Sequence, residues 1–189
     1  MANDTIGTVM ITQEQISERA AQIGREIEKD FDGEPVVLVG ILRGAVMWMV
    51  DIMKNVNLDM VIDFMAVSSY GSSTKSSGVV RINKDLDTDV AGKNVIIVED
   101  IVDSGTTLSY LRGYFENREA KAVKICTLLD KPSGRKVDID PAVPVLVQLV
   151  SEIPQYEQPQ RQIVHPRDRK KYRWNEIYRQ EKVYYTGYD

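Results

Sequence analysis

An apolar run that ends in two acids is the segment of this sequence with the clearest chemical potential. Residues 95–98 are Val-Ile-Ile-Val, Glu99 and Asp100 follow at once, and residues 103–107 read Asp-Ser-Gly-Thr-Thr. The apolar run predicts a buried strand, and open α/β sheets bind ligands at the carboxyl ends of their strands. The turn that follows would open a helix, whose unpaired N–H groups, together with the Ser and Thr hydroxyls, can hold a phosphate. The segment therefore predicts an anion site beside two carboxylates.

Carboxylates beside a phosphate site favour a ligand that also carries hydroxyl groups or a Mg²⁺ ion. Carboxylates accept hydrogen bonds from ribose hydroxyls, and Mg²⁺ keeps most of its waters while using few protein carboxylates. A simpler interpretation stays open for the short motif alone, in which Asp103 or Ser104 caps a helix and the two acids merely end a strand. The full string from Val95 to Leu108 is more specific than that motif.

The elements that must position these residues alternate between strand and helix. The capping-box spacing of Thr12 and Gln15, followed by apolar residues at spacings of four and three, predicts an amphipathic helix that ends near Asp32-Gly33. The polar segment 68–89 is typical of a functional or a disordered loop. Beyond the first helix we expect strands at 36–41, 60–67, 94–98 and 122–129, helices at 45–53 and 105–117, and candidate short strands at 79–82 and 143–150.

Short apolar strands that alternate with helices predict an α/β fold, in which a parallel sheet is covered by helices on both faces. A length of 189 residues predicts a single domain. We expect its core to span about 33–131. A small hood would be built from about 1–15 and from 132–189.

Composition excludes several classes of protein. The chain has 24 Lys+Arg against 28 Asp+Glu, a net charge of −4, one Cys and one His. Cys126 alone cannot form a disulfide framework or a Cys-cluster zinc site and suits a reducing cytoplasm, and His165 alone excludes a His-rich metal site. The negative charge makes nucleic acid an improbable partner, although residues 161–173 are strongly basic. No signal-peptide pattern opens the sequence, and the longest apolar stretch meets Arg43 after seven residues, so we expect a cytoplasmic protein without a membrane span.

Residues 98–107, VEDIVDSGTT, resemble the phosphoribosyl-diphosphate signature of type I phosphoribosyltransferases, in the hypoxanthine (guanine) branch of the purine enzymes. Neither a P-loop nor a dinucleotide fingerprint is present in the sequence. The resemblance covers over half of the chain and implies a type I phosphoribosyltransferase core with a small hood. Three further segments agree with the family in order and spacing: 40–44 with its pyrophosphate-binding loop, 68–71 through 84–86 with its mobile catalytic loop, and 126–132 with the strand that ends in its base-reading lysine.

The resemblance implies a role for each matching residue. Glu99 and Asp100 would hold the ribose hydroxyls and the Mg²⁺ bound to the diphosphate, and Asp103 would assist proton transfer at the purine N7. Lys131 would donate to O6 of the base and so select oxopurines over aminopurines. The other implied ligands of phosphoribosyl diphosphate are Ser104, Gly105, Thr106 and Thr107, around the 5′-phosphate, and Leu42, Arg43 and Gly44, at the pyrophosphate.

Two further features of the family concern its loops. Backbone N–H groups of the 42–44 loop would bind pyrophosphate, often through a non-proline cis peptide bond in this family. Ser69 and Tyr70 would close over the site and keep water away from an oxocarbenium-like transition state.

The resemblance fades beyond residue 136. A Glu-Ile-Pro at 152–154 matches the family, but the segment that usually follows it is replaced. Tyr156 would be the ring stacked on the purine, Asp168 the acid near the purine edge, and Arg173 the arginine that approaches pyrophosphate. His165 matches no position of the family and is expected to be a surface residue.

The implied activity is Mg²⁺-dependent transfer of the 5-phosphoribosyl group from phosphoribosyl diphosphate to N9 of hypoxanthine or guanine. The products would be IMP or GMP and pyrophosphate. Two alternatives stay open at this point: the same transfer to xanthine or another base, favoured by the altered last third, and a non-catalytic regulatory protein that binds phosphoribosyl diphosphate and contacts RNA through its basic run. The family is commonly dimeric or tetrameric, which implies a homodimer or homotetramer.

Overall fold

The computed structural model describes residues 11–69, 80–137 and 139, and every strand and helix predicted within them is present. The candidate strand at 143–150 and the basic run at 161–173 lie outside the described residues. The helices are α1 (Gln13–Phe31), α2 (Val46–Met53) and α3 (Thr106–Asn117), and a 3-10 turn occupies Pro132–Gly134. The strands are β1 (Val36–Leu42), β2 (Met60–Ser69), β3 (Val80–Lys84), β4 (Asn94–Val102) and β5 (Ala122–Asp130).

The capping box predicted at the first helix is formed. The Gln15 N–H donates to Thr12 Oγ1 at 3.3 Å, and the Thr12 N–H donates to Gln15 Oε1 at 2.8 Å. The helix ends where Asp32 adopts a left-handed conformation with φ of 48°, at the predicted Asp32-Gly33 boundary. Both ends of α1 therefore follow from local sequence signals.

The five strands form one sheet in the order β3-β2-β1-β4-β5. The pairs β1–β2, β1–β4 and β4–β5 are parallel, which confirms the predicted parallel sheet, and β3 is an antiparallel edge strand on β2. Only residues 70–79 connect β2 to β3. A parallel pairing needs a crossover of about a dozen residues or more, so this connection favours the antiparallel arrangement.

Helices cover both faces of the sheet, as predicted. On one face, α1 and α2 pack apolar side chains such as Ile23 and Trp48 against Leu38 and Ile96. On the other face, Leu111 and other residues of α3 pack against the alternate residues of the same strands. This two-sided burial explains the continuous apolar runs at 36–39 in β1 and 95–98 in β4.

Strand β4 extends further than its apolar run. The sequence predicts its end at Val98, yet pairing with β5 continues through Glu99↔Thr127 to Val102↔Asp130. The acids therefore lie within the last part of the strand and not after it, because ladder hydrogen bonds are made by the backbone whatever the side chain.

One carboxylate is buried at the second strand. Asp63 is 7% exposed and accepts hydrogen bonds from the backbone N–H groups of Phe64 (2.7 Å), Asp87 (3.0 Å) and Thr88 (2.8 Å). Burial alone would raise the pKa of Asp63, but these bonds and one from the Thr88 hydroxyl outweigh it and hold the pKa below its ordinary value. The hydrogen bonds of Asp63 therefore hold the segment after β3 against β2.

Among the described residues, no helix has the length and apolar character needed to cross a membrane.

Candidate functional site

An open cleft of about 440 Å³ lies at the carboxyl ends of β1 and β4, where the sequence places its candidate site. Side chains from the end of β4 and from the following turn line one side of it, and Leu42 and Ser68 line the other. Two parallel strands that run side by side deliver their last residues to the same edge of the sheet. The cleft lining includes five of the predicted site residues besides Leu42: Glu99, Asp103, Ser104, Gly105 and Thr107.

Glu99 lines this cleft and forms an acidic pair with its neighbour Asp100. The Asp100 N–H donates to Glu99 Oε1 at 3.2 Å. Burial raises the pKa of Glu99 well above its usual range, and the hydrogen bond and negative charge of the Asp100 carboxylate raise it further. A cation, or hydrogen-bond donors such as ribose hydroxyl groups, would therefore stabilise the ionised form of Glu99.

The turn at 103–107 depends on glycine at its third position. Gly105 has φ of +80°, and a Cβ there would lie 2.8 Å from the Val137 carbonyl oxygen and 2.9 Å from Ile139 Cδ1. The Ser104 Oγ accepts a hydrogen bond from the Thr106 N–H at 3.3 Å and lies 3.2 Å from Thr106 Oγ1. The turn leads straight into α3, so its N–H groups and hydroxyls gather at one helix start, as anion binding requires.

A second segment packs on this turn and holds it in place. The N–H groups of Lys136 and Val137 both donate to the Ser104 carbonyl, at 2.9 and 3.2 Å. The Lys131 N–H donates to the Val102 carbonyl at 2.8 Å. Gly134 lies so close to Asp103 that a Cβ on it would overlap Asp103 Oδ1. The segment after β5 therefore supports the turn from outside.

Lys131 and Asp103 form an ion pair at the mouth of the cleft. Lys131 Nζ lies 3.4 Å from Asp103 Oδ1, and the two side chains are 50% and 56% exposed. An ion pair this exposed contributes at most about 1 kcal/mol to stability. Its groups are therefore accessible to a ligand at little energetic cost.

The loop after β1 carries the cis peptide bond that the resemblance implies. The bond joins Leu42 to Arg43, and Arg43 and Gly44 are both exposed. Gly44 faces the acidic pair, because a Cβ on it would overlap the Asp100 carboxylate. This loop and the acids of β4 thus form one continuous wall.

The structure brings most of the predicted residues together, while their roles stay predictions. Ser69 ends β2 beside Ser68 of the cleft. Tyr70, Tyr156 and Arg173 lie outside the described residues. So do Asp168 and His165.

Three residues around the site were not among those predicted from the sequence: Gly134, Arg135 and Thr127. The Pro-Ser-Gly at 132–134 is a turn signal that could have pointed to the first of them. Arg135 pairs with Asp130 at the end of β5. Thr127 is hidden inside an apolar run, where no local pattern marks it.

The donor set at the cleft fits Mg²⁺ and not a metal that needs a protein cage. No group of three or more metal-ligating side chains occurs within residues 11–69, 80–137 and 139. Glu99 and Asp100 supply two adjacent carboxylates, and Mg²⁺ binds through one or two carboxylates together with substrate phosphates. The site therefore suits a metal ion that arrives with a phosphorylated ligand.

Comparison with known proteins gives one consistent family. The family model of the phosphoribosyl transferase domain matches residues 9–158. The chain is 48% identical over 139 residues to the hypoxanthine-guanine phosphoribosyltransferase of Bacillus subtilis (strain 168), covering 74% of this chain and 77% of the relative. It is 46% identical over 140 residues to the enzyme of the same name from Streptococcus mutans, covering 74% of this chain and 78% of the relative.

Solved structures of hypoxanthine phosphoribosyltransferases are also similar to this chain. A hypoxanthine phosphoribosyltransferase from Staphylococcus aureus is similar with a TM-score of 0.71 and 41% identity, covering 75% of this chain and 77% of that one. A variant of the Trypanosoma cruzi hypoxanthine phosphoribosyltransferase, complexed with the product IMP, is similar with a TM-score of 0.70 and 32% identity. That match covers 78% of this chain and 79% of the other.

Proposed function

This chain belongs to the phosphoribosyltransferase family, and we propose that it transfers the 5-phosphoribosyl group from phosphoribosyl diphosphate to N9 of hypoxanthine or guanine. The products are IMP or GMP and pyrophosphate, as in purine salvage. The observation that carries the proposal is the cleft lined by Glu99, by the left-handed glycine turn and by Asp103, whose carboxylate pairs with Lys131. The names of the relatives support the choice of base.

The turn at 103–107 binds the 5′-phosphate of the donor in this proposal. Ser104, Gly105, Thr106 and Thr107 offer N–H groups and hydroxyls at the start of α3, where the helix dipole also favours an anion. Leu42, Arg43 and Gly44 bind the pyrophosphate moiety at the other end of the cleft. The donor is then held at both ends, which fixes its reacting carbon between them.

Glu99 and Asp100 orient the ribose and hold the metal. The pair accepts hydrogen bonds from the ribose hydroxyls and would hold a Mg²⁺ ion that arrives with the diphosphate. Such an ion would supply positive charge that stabilises the departing pyrophosphate. Glu99 is ionised in that complex because positive charge and hydroxyl donors lower the pKa of its carboxyl group.

Asp103 and Lys131 act on the base. The purine enters beside their ion pair, Lys131 donates to O6, and Asp103 accepts the N7 proton as the bond from N9 to the ribose forms. Lys131 favours oxopurines because an amino group at that position donates and cannot accept. Ser69 and Tyr70 cover the reacting carbon and exclude water, Tyr156 stacks on the purine, and Arg173 contacts pyrophosphate.

The remaining parts of the proposal concern the whole chain. Residues 1–15 and 132–189 form a hood over the core at about 33–131, and the protein acts in the cytoplasm as a homodimer or homotetramer. The contacts of Lys136 and Val137 with the turn support the hood. Size-exclusion chromatography with light scattering measures the molar mass of the protein in solution. The mass of a monomer would contradict the proposed homodimer or homotetramer.

The proposal is tested by offering hypoxanthine, guanine, xanthine and adenine separately with phosphoribosyl diphosphate and Mg²⁺. Turnover of hypoxanthine or guanine is expected, with little from adenine. A clear preference for xanthine would refute the choice of base. Absence of turnover with all four bases, alongside intact binding of phosphoribosyl diphosphate, would refute the proposed transferase activity and favour a regulatory protein. The next measurement would then be RNA binding as a function of salt concentration.

A further inference from the structure

Thr127 is a buried polar side chain that the proposed mechanism does not use. It lies on β5 between core residues Cys126 and Leu128, is 0% exposed, and its Oγ1 has no hydrogen-bond partner within the described residues. A buried hydroxyl without a partner destabilises a fold, and valine has the same shape without that cost. The presence of threonine at this position therefore requires a reason.

The neighbour of Thr127 across the sheet supplies one. Thr127 pairs with Glu99 in the parallel register of β5 and β4. Strands in such a pair lie about 4.8 Å apart, and paired residues point to the same face. Two residues earlier, Ile125 and Ile97 form the same pair and both pack on the α3 face. The period of two then places the side chains of Thr127 and Glu99 on that face as neighbours, at the inner end of the cleft.

The Glu99 carboxylate can accept a further hydrogen bond. An ionised carboxylate accepts at about four lone-pair positions, and only the Asp100 N–H donates to Glu99 within the described residues. A hydroxyl hydrogen turns freely about its C–O bond, so Thr127 can direct it to a carboxylate beside it. A valine at 127 would leave this side of Glu99 without any donor.

We infer that Thr127 is a positioning residue. Its hydroxyl, unpaired among the described residues, donates to the Glu99 carboxylate once phosphoribosyl diphosphate is bound and holds that carboxylate toward the ribose hydroxyls. The inference rests on the proposed function, because it assigns a partner to a residue of that site. Thr127 itself touches no substrate. Its effect is on donor binding through Glu99, and the base is recognised elsewhere.

Two variants separate this role from a purely structural one. Thr127→Val keeps the shape and removes the hydroxyl, while Thr127→Ser keeps the hydroxyl and removes a methyl group. The dissociation constant for phosphoribosyl diphosphate with Mg²⁺ is measured by calorimetry without a base, so that no turnover occurs. The KM for the donor and the Tm of each variant are measured alongside.

The inference predicts opposite orders for binding and stability. Thr127→Val should bind the donor about ten-fold more weakly, the effect of losing a hydrogen bond to a charged group, with its Tm at or above that of the wild type. Thr127→Ser should bind as the wild type does, with a Tm lower by about 2–4 °C from the small cavity. Wild-type affinity in Thr127→Val, or equal weakness in both variants, would overturn the inference.

A double mutant tests whether the effect passes through Glu99. In a Glu99→Ala background, Thr127→Val should cause little further loss of affinity, since the acceptor of the Thr127 hydroxyl is absent. The same ten-fold loss in both backgrounds would show that the hydroxyl acts elsewhere and would refute the inference. If the wild type is active and Thr127→Val binds phosphoribosyl diphosphate normally, only the inference about Thr127 is refuted. A wild type that does not bind the donor refutes the proposed function as well.

Discussion

Gly44 and Asp100 are in direct contact across two adjacent strands. Gly44 follows β1, Asp100 lies near the end of β4, and a Cβ on Gly44 would overlap the Asp100 carboxylate. The loop proposed to bind pyrophosphate and the acids proposed to hold the metal therefore limit each other's position. No side chain larger than hydrogen fits at 44 unless Asp100 moves.

Substitution of Gly44 by alanine should impair donor use without unfolding the protein. Gly44 is exposed and Asp100 is only partly buried, so the clash is relieved by displacement of the carboxylate. A displacement of about 1 Å in a catalytic site can cost on the order of 100-fold, and we expect kcat/KM for the donor to fall by about that factor. Steady-state kinetics at several Mg²⁺ concentrations measure the fall.

Gly113 provides the matched control. It lies within α3, and a Cβ on it would meet nothing within 4 Å among the described residues. Gly113→Ala should leave kcat/KM unchanged and stabilise the protein by roughly 0.5–1 kcal/mol, because alanine is the better helix former. Equal kinetics for the two variants would contradict a steric link between Gly44 and Asp100.

Asp103→Asn should separate chemistry from donor binding. Asparagine keeps the shape but cannot accept the purine proton, so turnover should fall by about 10²–10⁴ while donor affinity is retained. The fold should be unaffected, because the ion pair that is lost is half-exposed. Turnover at the wild-type rate would remove Asp103 from the proton transfer.

Lys131→Ala should weaken discrimination between bases. The ratio of kcat/KM for hypoxanthine over adenine is expected to fall, since the donor to O6 is lost. Lys93 is an exposed lysine at the amino end of β4, away from the cleft, and Lys93→Ala should leave that ratio unchanged. An unchanged ratio in both variants would exclude Lys131 from base recognition.

Features set by neighbouring residues could be predicted from the sequence. The capping box at Thr12 fixes the start of α1, apolar runs mark the central strands, and the Asp-Ser-Gly-Thr-Thr string marks the turn before α3. Each of these signals lies within one segment, so it can be interpreted without knowing which other elements pack against that segment.

Features set by strand register could not be predicted in the same way. The contact of Gly44 with Asp100 and the pairing of Thr127 with Glu99 join residues far apart in the chain. A shift of β4 by one residue against both of its neighbours would separate both pairs, and no pattern within a single segment specifies that register. The extension of β4 past Val98 has the same origin, because partner strand β5 continues the ladder.

Asp63 offers the clearest prediction for stability. It is an acid inside a predicted strand, and both of its oxygens accept from backbone N–H groups, Oδ1 from Phe64 and Oδ2 from Asp87 and Thr88. In Asp63→Asn, one of these positions becomes an NH₂ group that faces an N–H donor in either orientation. We expect the free energy of unfolding to fall by about 1–3 kcal/mol at pH 7, the cost of leaving a buried group unsatisfied.

The pH dependence of stability should change in the same variant. Because the pKa of Asp63 is lowered in the folded protein, its contribution is present above the pKa of the unfolded chain, near 4, and is lost as the pH falls through the lower, folded value. Urea unfolding from pH 7 down to pH 3 should therefore show a steeper loss for the wild type than for Asp63→Asn. Asp59 is an exposed aspartate immediately before β2, and Asp59→Asn should behave as the wild type does. Parallel curves for the wild type and Asp63→Asn would show that Asp63 is not a source of acid sensitivity, and that its backbone contacts persist when it is protonated.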